Sequence, residues 1–324
     1  MISLSQVTKN FGSVQAVRGV TLEVPKGQVV GILGPNGAGK TTTIRMITGS
    51  IPPSSGFVRV DGLDSVDDSM GVRRRLGYLP ESAPLYPEMR VRDFLQYRAR
   101  LYGVPARGRR SAIEQSLNRC QISDVAGRRI GTLSKGYRQR VGLAASLVHD
   151  PLVLILDEPT TGLDPAQIAE TRRLVRDLAG ERTTLVVSHI LPEVEKSCDR
   201  IVLFARGRIQ ADGPPDQLIS ELPGAGRYTV EARQEVRQGV SPESALRSIP
   251  GVESVDSAPT ADGWTRCLVG WSEREGDRRE QIARACVRAG LIVRELRPQA
   301  ASLEDVYLRV IAYADDGGAR GGGA

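Results

Sequence analysis

Gly34-Pro35-Asn36-Gly37-Ala38-Gly39-Lys40-Thr41 is the stretch of this chain best equipped for chemistry. Its spacing, G-x-x-x-x-G-K-T, lets successive backbone N–H groups curl round phosphate oxygens, with the lysine reaching β/γ-phosphates and the threonine hydroxyl free to ligate Mg²⁺. Lys40 would also stabilise charge on a transferring phosphoryl group, and Thr42 adjoins the cradle. A glycine turn capped by a threonine would share part of this pattern, but not its place between an apolar run and a helix-length segment. Asp157 and Glu158 close the apolar run at 152–156. Beside a phosphate loop, one carboxylate can hold Mg²⁺ and the second can polarise an attacking water. The expected division gives the metal to Asp157 and the base to Glu158; two acids after a strand also suit a helix N-cap.

These residues need strands that end together. QVVGILG before the glycine loop and LVLIL before Asp157 are nearly all apolar, as strands buried on both faces should be. Before them, ISLSQVTKNFG and VQAVRGVTLEV read as strand, turn, strand. Residues 91–122 carry Phe94, Leu95, Leu101, Ile113 and Leu117 at helical spacing, broken at Gly103 and Pro105, which predicts a helical insertion over about 83–150. From 152 the α/β alternation resumes, with a helix around 166–179, a TTLVVS strand, a helix around 191–197 and a hairpin over RIVLFARGRIQADG. The expected division is an α/β unit over 1–218, a linker at 219–226, a second unit over 227–314 and a disordered tail at 315–324. The second unit reads as strand 227–234, helix 242–249, strands 252–257 and 264–271, helix 277–289, strand 291–297 and a last helix at 302–312. This β-α-β-β-α-β order is a small α+β, ferredoxin-like arrangement.

A chain of 324 residues with 40% hydrophobic and 25% charged residues can bury two cores, and its composition excludes fibrous and disordered classes. No apolar run approaches the roughly 18 residues of a membrane-spanning helix, and the first residues lack a secretory pattern, so the expected location is cytoplasmic. Four scattered cysteines and two histidines exclude a disulfide framework, a zinc knuckle and a multi-histidine metal site. The net charge of +6 divides into +8 over 1–218 and −2 over the remainder. A basic first half could attract phosphate-bearing ligands, anionic lipid headgroups or nucleic acid, or be simply a solvated surface.

Further motifs stand in a fixed order: LSKGYRQR at 133–140, TGLDP at 161–165 and SHIL at 188–191. With the glycine loop and LILDEP, they make the first 216 residues resemble the nucleotide-binding subunits of ATP-binding-cassette (ABC) transporters, a P-loop NTPase fold of mixed sheets with an inserted helical subdomain. The resemblance implies that Phe11 stacks on the adenine of ATP and that His189 contacts the γ-phosphate and the attacking water. Taken alone, Phe11 reads as a core aromatic and His189 as a structural residue. It also implies a head-to-tail homodimer, in which Ser134 and Gly136 of one copy close over ATP held by Gly34–Thr41 of the other, with Asp164 crossing the interface. By itself Ser134 is equally a helix N-cap.

Two positions depart from the family pattern. Glu81, in LGYLPESAPLY, stands where the family usually has glutamine, and would be a stronger Mg²⁺ ligand that brings negative charge beside a phosphate. Lys135 and Tyr137 replace the usual glycine and glutamine of the signature; Lys135 would add charge near the partner's ATP or point to solvent. Both variants resemble the ABC-2 type, gliding-motility-like exporter branch. The implied function is an ATPase, with ATP and Mg²⁺, on the cytoplasmic face of the membrane, coupled to an integral membrane permease and making no direct contact with nucleic acid. Leu85, Tyr86, Met89 and Phe94 are expected to form the groove that receives the permease, or else ordinary subdomain core. The alternatives are a soluble cassette ATPase acting on ribosomes or nucleic acid, and a non-hydrolytic nucleotide-gated binding module. In the second unit, Trp264, Trp271, Cys267 and Cys286 are expected to pack the sheet.

Overall fold

The computed structural model describes residues 1–178, 182–220, 227–234, 240–271, 277–299 and 302–316. Most of the expected linker and residues 317–324 of the expected tail lie outside them. The chain divides into two compact units, built on Met1–Pro215 and Asp216–Leu308.

The first unit opens with β1 (Ile2–Phe11) and β2 (Val14–Val24), whose alternating burial is that of strands with one face on a core. β3 (Val29–Leu33) is buried at every residue and delivers the glycine loop to α1 (Lys40–Ile47). β4 (Ser55–Val60) and β5 (Leu63–Asp64) complete an antiparallel sheet of order β2-β1-β4-β5. α2 (Ser69–Arg75) leads into β6 (Leu76–Leu79). A helical insertion follows, with α3 (Val91–Leu101), α4 (Ala106–Arg119) and α5 (Lys135–Leu147). Pro105 lies between α3 and α4, where a residue without an N–H cannot continue the first helix. The α/β alternation returns as β7 (Val153–Asp157), α6 (Pro165–Leu178), β8 (Thr183–Val187), α7 (Leu191–Ser197), β9 (Arg200–Ala205) and β10 (Arg208–Gly213), and the short α8 (Pro215–Ser220) starts at the boundary and belongs to the second unit from Asp216 on.

Those strands form a second sheet of order β10-β9-β3-β8-β7-β6, parallel from β9 to β6 and antiparallel only at β10. Every residue of β3, β7 and β8 is buried, so the central strands need apolar side chains on both faces. Ile44, Met46 and Ile47 of α1 pack into the core shared with Ile2, Val30 and Ile155. Parallel register aligns Asp157 with Val187 and Ile32 with Val187, so β3, β7 and β8 finish at one edge.

The second unit contains β11 (Arg227–Gln234), α9 (Pro242–Arg247), β12 (Val252–Pro259), β13 (Thr265–Trp271), α10 (Arg279–Arg288), β14 (Leu291–Gln299) and, as far as Leu308, the start of α11 (Leu303–Asp316), whose remainder groups with the first unit. Its sheet order, β12-β13-β11-β14 and wholly antiparallel, is that of a ferredoxin-like fold. α11 runs two residues into the stretch expected to be a tail. Trp271, Cys267 and Cys286 lie in this core as expected. Trp264 does not: its ring is flanked by the guanidinium groups of Arg233 and Arg294, 4.7 and 4.8 Å from its centroid.

Candidate active site

The common edge of β3, β7 and β8 collects the glycine loop, Asp157 with Glu158, and His189. Backbone bonds fix the edge: Glu158 N–H donates to Val187 O at 2.8 Å and Ser188 N–H to Ile32 O at 3.2 Å. In open parallel sheets, ligands bind outside the carboxyl ends of strands for this reason.

Gly39 is the N-cap of α1 at φ +101°, and a Cβ there would sit 2.6 Å from Ala16 O, so only glycine closes the loop. No side chain caps α1, which leaves its first N–H groups and its dipole for an anion. Lys40 is buried and donates to Gly34 O at 2.5 Å and Pro35 O at 3.1 Å. Burial lowers its pKa, while Glu158 and Asp157 pull it back up. Thr41 is exposed at the same turn, with Thr42 half-buried beside it.

Asp157 is buried at the end of β7, and its carboxyl accepts a long hydrogen bond from the Tyr78 hydroxyl at 3.3 Å. Burial raises its pKa; that bond lowers it, and Glu158 and Glu81 raise it further. Burial and the Asp157 charge likewise raise the pKa of the Tyr78 hydroxyl. Asp157 is therefore a carboxylate that a nearby cation would relieve. With the Thr41 hydroxyl it offers hard oxygen donors, which suit Mg²⁺. Among the described residues no three carboxylate, histidine or cysteine groups gather into a metal cage, so a cation here would have to complete its shell with water and phosphate oxygens, as Mg²⁺ does. Glu81 is exposed just beyond β6, and the structure places it within electrostatic reach of Asp157.

Glu158 adopts φ +50°, a left-handed conformation that is uncommon outside glycine and that the surrounding bonds hold in place. Its Oε1 meets Nδ1 of His189 at 2.8 Å and its Oε2 accepts from the Thr161 hydroxyl at 3.1 Å. The helix-cap alternative for this acid is not realised, since its carboxylate is occupied by these two side chains. His189 is half exposed, not packed as a structural core residue.

The remaining candidates are distributed more widely. Phe11 is 51% exposed at the end of β1, with the Lys9 ammonium 5.2 Å from its ring centroid, so it is no core aromatic. Ser134 caps α5, its hydroxyl accepting from Tyr137 N–H at 3.4 Å. Asp164 caps α6 in the same way, accepting from Gln167 N–H at 2.9 Å. Gly136 is buried against Gln167, where a Cβ would come within 2.6 Å of the amide oxygen. Lys135 is exposed, and its ammonium lies over Gly162, on the loop that follows Glu158. Phe94, expected in a partner groove, is 2% exposed and belongs to the core. Tyr86 packs edge-on against it and against Tyr97, at 5.9 Å in each case, and stays 44% exposed.

The profile of the ABC transporter family matches residues 17–161. Over 313 residues, the chain is 36% identical to the daunorubicin resistance ATP-binding protein DrrA3 of Streptomyces coeruleorubidus, covering 95% of each chain. The chain belongs to the ABC transporter ATP-binding family. It is also 40% identical over 224 residues to the ABC transporter ATP-binding protein NatA of Bacillus subtilis, covering 67% of this chain and 91% of that relative. Among solved structures, a dimeric post-hydrolysis state of an ATP-binding cassette bound to ADP and Pi is similar at a TM-score of 0.60 and 25% identity, over 66% of this chain and 98% of that one. The first unit is thus an ABC ATPase domain with the P-loop fold, and no helix among the described residues is long and apolar enough to cross a membrane.

Sequence reasoning had not singled out Tyr78 or Thr161 at this ABC site, nor Tyr97 beside Tyr86 in the helical insertion. Tyr78 sits one residue before the end of β6, opposite Ile155 of the strand that ends in Asp157, so strand adjacency was the signal. Thr161 lies three residues after Glu158, the separation of a turn, and its N–H donates to Glu158 O at 3.2 Å. Tyr97 lies three residues after Phe94 in α3, close enough along the helix to meet the ring that Phe94 also meets.

Proposed function

We propose that this subunit hydrolyses ATP as one of a pair of cassettes and powers an ABC-2 type exporter through a separate integral membrane permease. The observation that carries the reading is the Glu158–His189 contact of 2.8 Å at the strand edge that also presents Lys40 and Asp157. In this reading the glycine loop and the N-terminus of α1 bind the phosphates, and Phe11 stacks on the adenine. Glu158 accepts a proton from, and orients, the water that attacks the γ-phosphate in line. His189 aligns Glu158 and meets the γ-phosphate, and Lys40 leaves the carbonyls of its own loop to stabilise developing charge. Thr41 and Asp157, with Glu81 nearby, would hold Mg²⁺, which would supply positive charge to offset that of the phosphates.

A second copy would close the site with Ser134 and Gly136 at the start of α5 and with Asp164 at the start of α6. Closure driven by contacts to the γ-phosphate and reopening after its loss form a two-state cycle. Exposed Tyr86, with Leu85 and Met89, forms the permease-facing patch. The relatives support export: besides the daunorubicin resistance protein, they include Nod factor export ATP-binding proteins of Burkholderia and the bacitracin transport ATP-binding protein of Bacillus licheniformis. The subunit would then work at the cytoplasmic face of the membrane as a peripheral protein.

The test is purification of tagged Glu158→Gln protein with ATP from detergent-solubilised cells. Recovery of a multi-spanning membrane protein in near-stoichiometric amount is the expected result. Recovery of ribosomes, nucleic acid or soluble proteins alone would replace the exporter reading with that of a cassette ATPase that works without a permease.

A further inference from the structure

We infer that the tip of the α3–α4 hairpin is a docking surface for anionic lipid headgroups. Between Phe94 and Ile113 the sequence carries five arginines, Arg98, Arg100, Arg107, Arg109 and Arg110, and no acidic residue, in a chain whose whole net charge is +6. The fold gathers them at one end of the hairpin, in the last turn of α3 and the first turns of α4.

Three of the five are engaged locally. Arg98 donates to the Tyr102 hydroxyl at 3.1 Å, Arg109 donates to Val104 O at 2.7 Å, and Arg110 lies close enough to Glu114 to lower the pKa of its carboxyl. Arg100 and Arg107 are exposed and make no hydrogen bond or ion pair among the described residues. The α4 arginines also stand at a helix N-terminus with no acid in its first turn, where cations oppose the helix dipole. The dipole gives them no stabilisation there, and Arg107, which has no side-chain partner among the described residues, is left open to an anion from outside.

The cations do not stand alone. Tyr97 and Leu101 share a face of α3 and are 42% and 60% exposed, with Arg100 adjoining. Guanidinium groups beside an exposed tyrosine and leucine match a bilayer surface, where phosphates lie above an apolar layer and a tyrosine ring sits between them. A nucleic acid would answer the charge but give Leu101 no apolar layer to enter. The inference goes beyond the exporter reading and does not rest on it, because charge and exposure carry it without a permease.

The experiment is co-sedimentation of the full chain with vesicles of phosphatidylcholine alone or mixed equally with phosphatidylglycerol, at rising salt. Binding is expected only to the mixed vesicles and should fall as salt shortens the reach of surface charge, which is about 8 Å at physiological ionic strength. Arg100→Gln with Arg107→Gln should weaken binding roughly tenfold or more, at near-unchanged thermal stability. Leu101→Gln should weaken it less and leave the salt dependence intact. Equal binding to both vesicle types, absence of binding, or unchanged binding by the arginine double variant would each overturn the inference. So would retention by duplex RNA with no retention by either vesicle.

Discussion

Asp157 and Glu231 are both buried carboxylates at strand positions, and their surroundings treat them in opposite ways. Glu231, in the second unit, accepts hydrogen bonds of 2.6 Å from Arg266 and from Arg294, which hold its carboxyl below the usual carboxylate range. Asp157 has one hydroxyl partner at 3.3 Å and two like charges nearby, and burial pushes its pKa up. A carboxylate satisfied by its own chain is finished as structure, and its replacement is a matter of stability. A carboxylate left short of partners beside a phosphate loop is set up for a cation that comes with substrate. The second unit repeats the first pattern at its surface, where Asp262 is paired with Arg294 and Asp277 with Arg279, whereas no arginine pairs with Asp157 among the described residues.

The contrast breaks or sharpens most directly at Asp157. Asp157→Asn should lower Mg-ATP hydrolysis by about 10²-fold or more, measured as phosphate release. The same variant should melt a few degrees higher without nucleotide, because it removes a charge whose burial Tyr78 and Lys40 only partly offset. The folded pKa of Asp157 is raised, so its destabilising contribution is absent below the ordinary aspartate value of 3.8 and grows as pH rises from there through the folded value. The advantage of Asn should therefore vanish in acid; a variant that melts lower at neutral pH would contradict the account.

Glu231→Gln should do the reverse, lowering the melting temperature while ATPase activity stays unchanged. Here the folded pKa is lowered, so the stabilisation is present above 4.5 and is lost as pH falls through the folded value. Melting curves of both proteins should converge at low pH. The smallest effect is at Phe11. Phe11→Ala should raise KM for ATP roughly fivefold with little change in kcat, since stacking on a base contributes about 1 kcal/mol or more equally to ground and transition states. An unchanged KM would remove Phe11 from the site.

Much of this site was legible because its residues sit where local chemistry constrains them. Gly39 must be glycine at φ +101°, Lys40 and Thr41 follow it in the helix, and Asp157 ends a strand apolar on both faces. The ferredoxin-like unit was readable for the same reason, since its strand and helix periods alternate without ambiguity. What stayed hidden depends on neighbours far along the chain. Tyr78 reaches Asp157 only because β6 and β7 pair in parallel. Gly136 turned out to be spacing for Gln167, thirty-one residues on, and Lys135 turned back over Gly162. Phe94 and Trp264 show the limit of residue type as a guide. Of the two places open to Phe94, a partner groove or the subdomain core, it takes the core, and a tryptophan expected in the core lies between two arginines, because burial depends on which face of an element meets the rest of the fold.

The central claim is that Glu158, held at φ +50° between His189 and Thr161, orients the attacking water and does not build the ATP pocket. Glu158→Gln keeps the shape and removes the base, so phosphate release should fall by about 10²–10⁴-fold while ATP affinity holds and ATP drives the subunit into a lasting dimer. The decisive measurement is single-turnover phosphate release by this variant beside equilibrium ATP binding. Hydrolysis at the normal rate, or loss of ATP binding with loss of hydrolysis, would contradict the assignment.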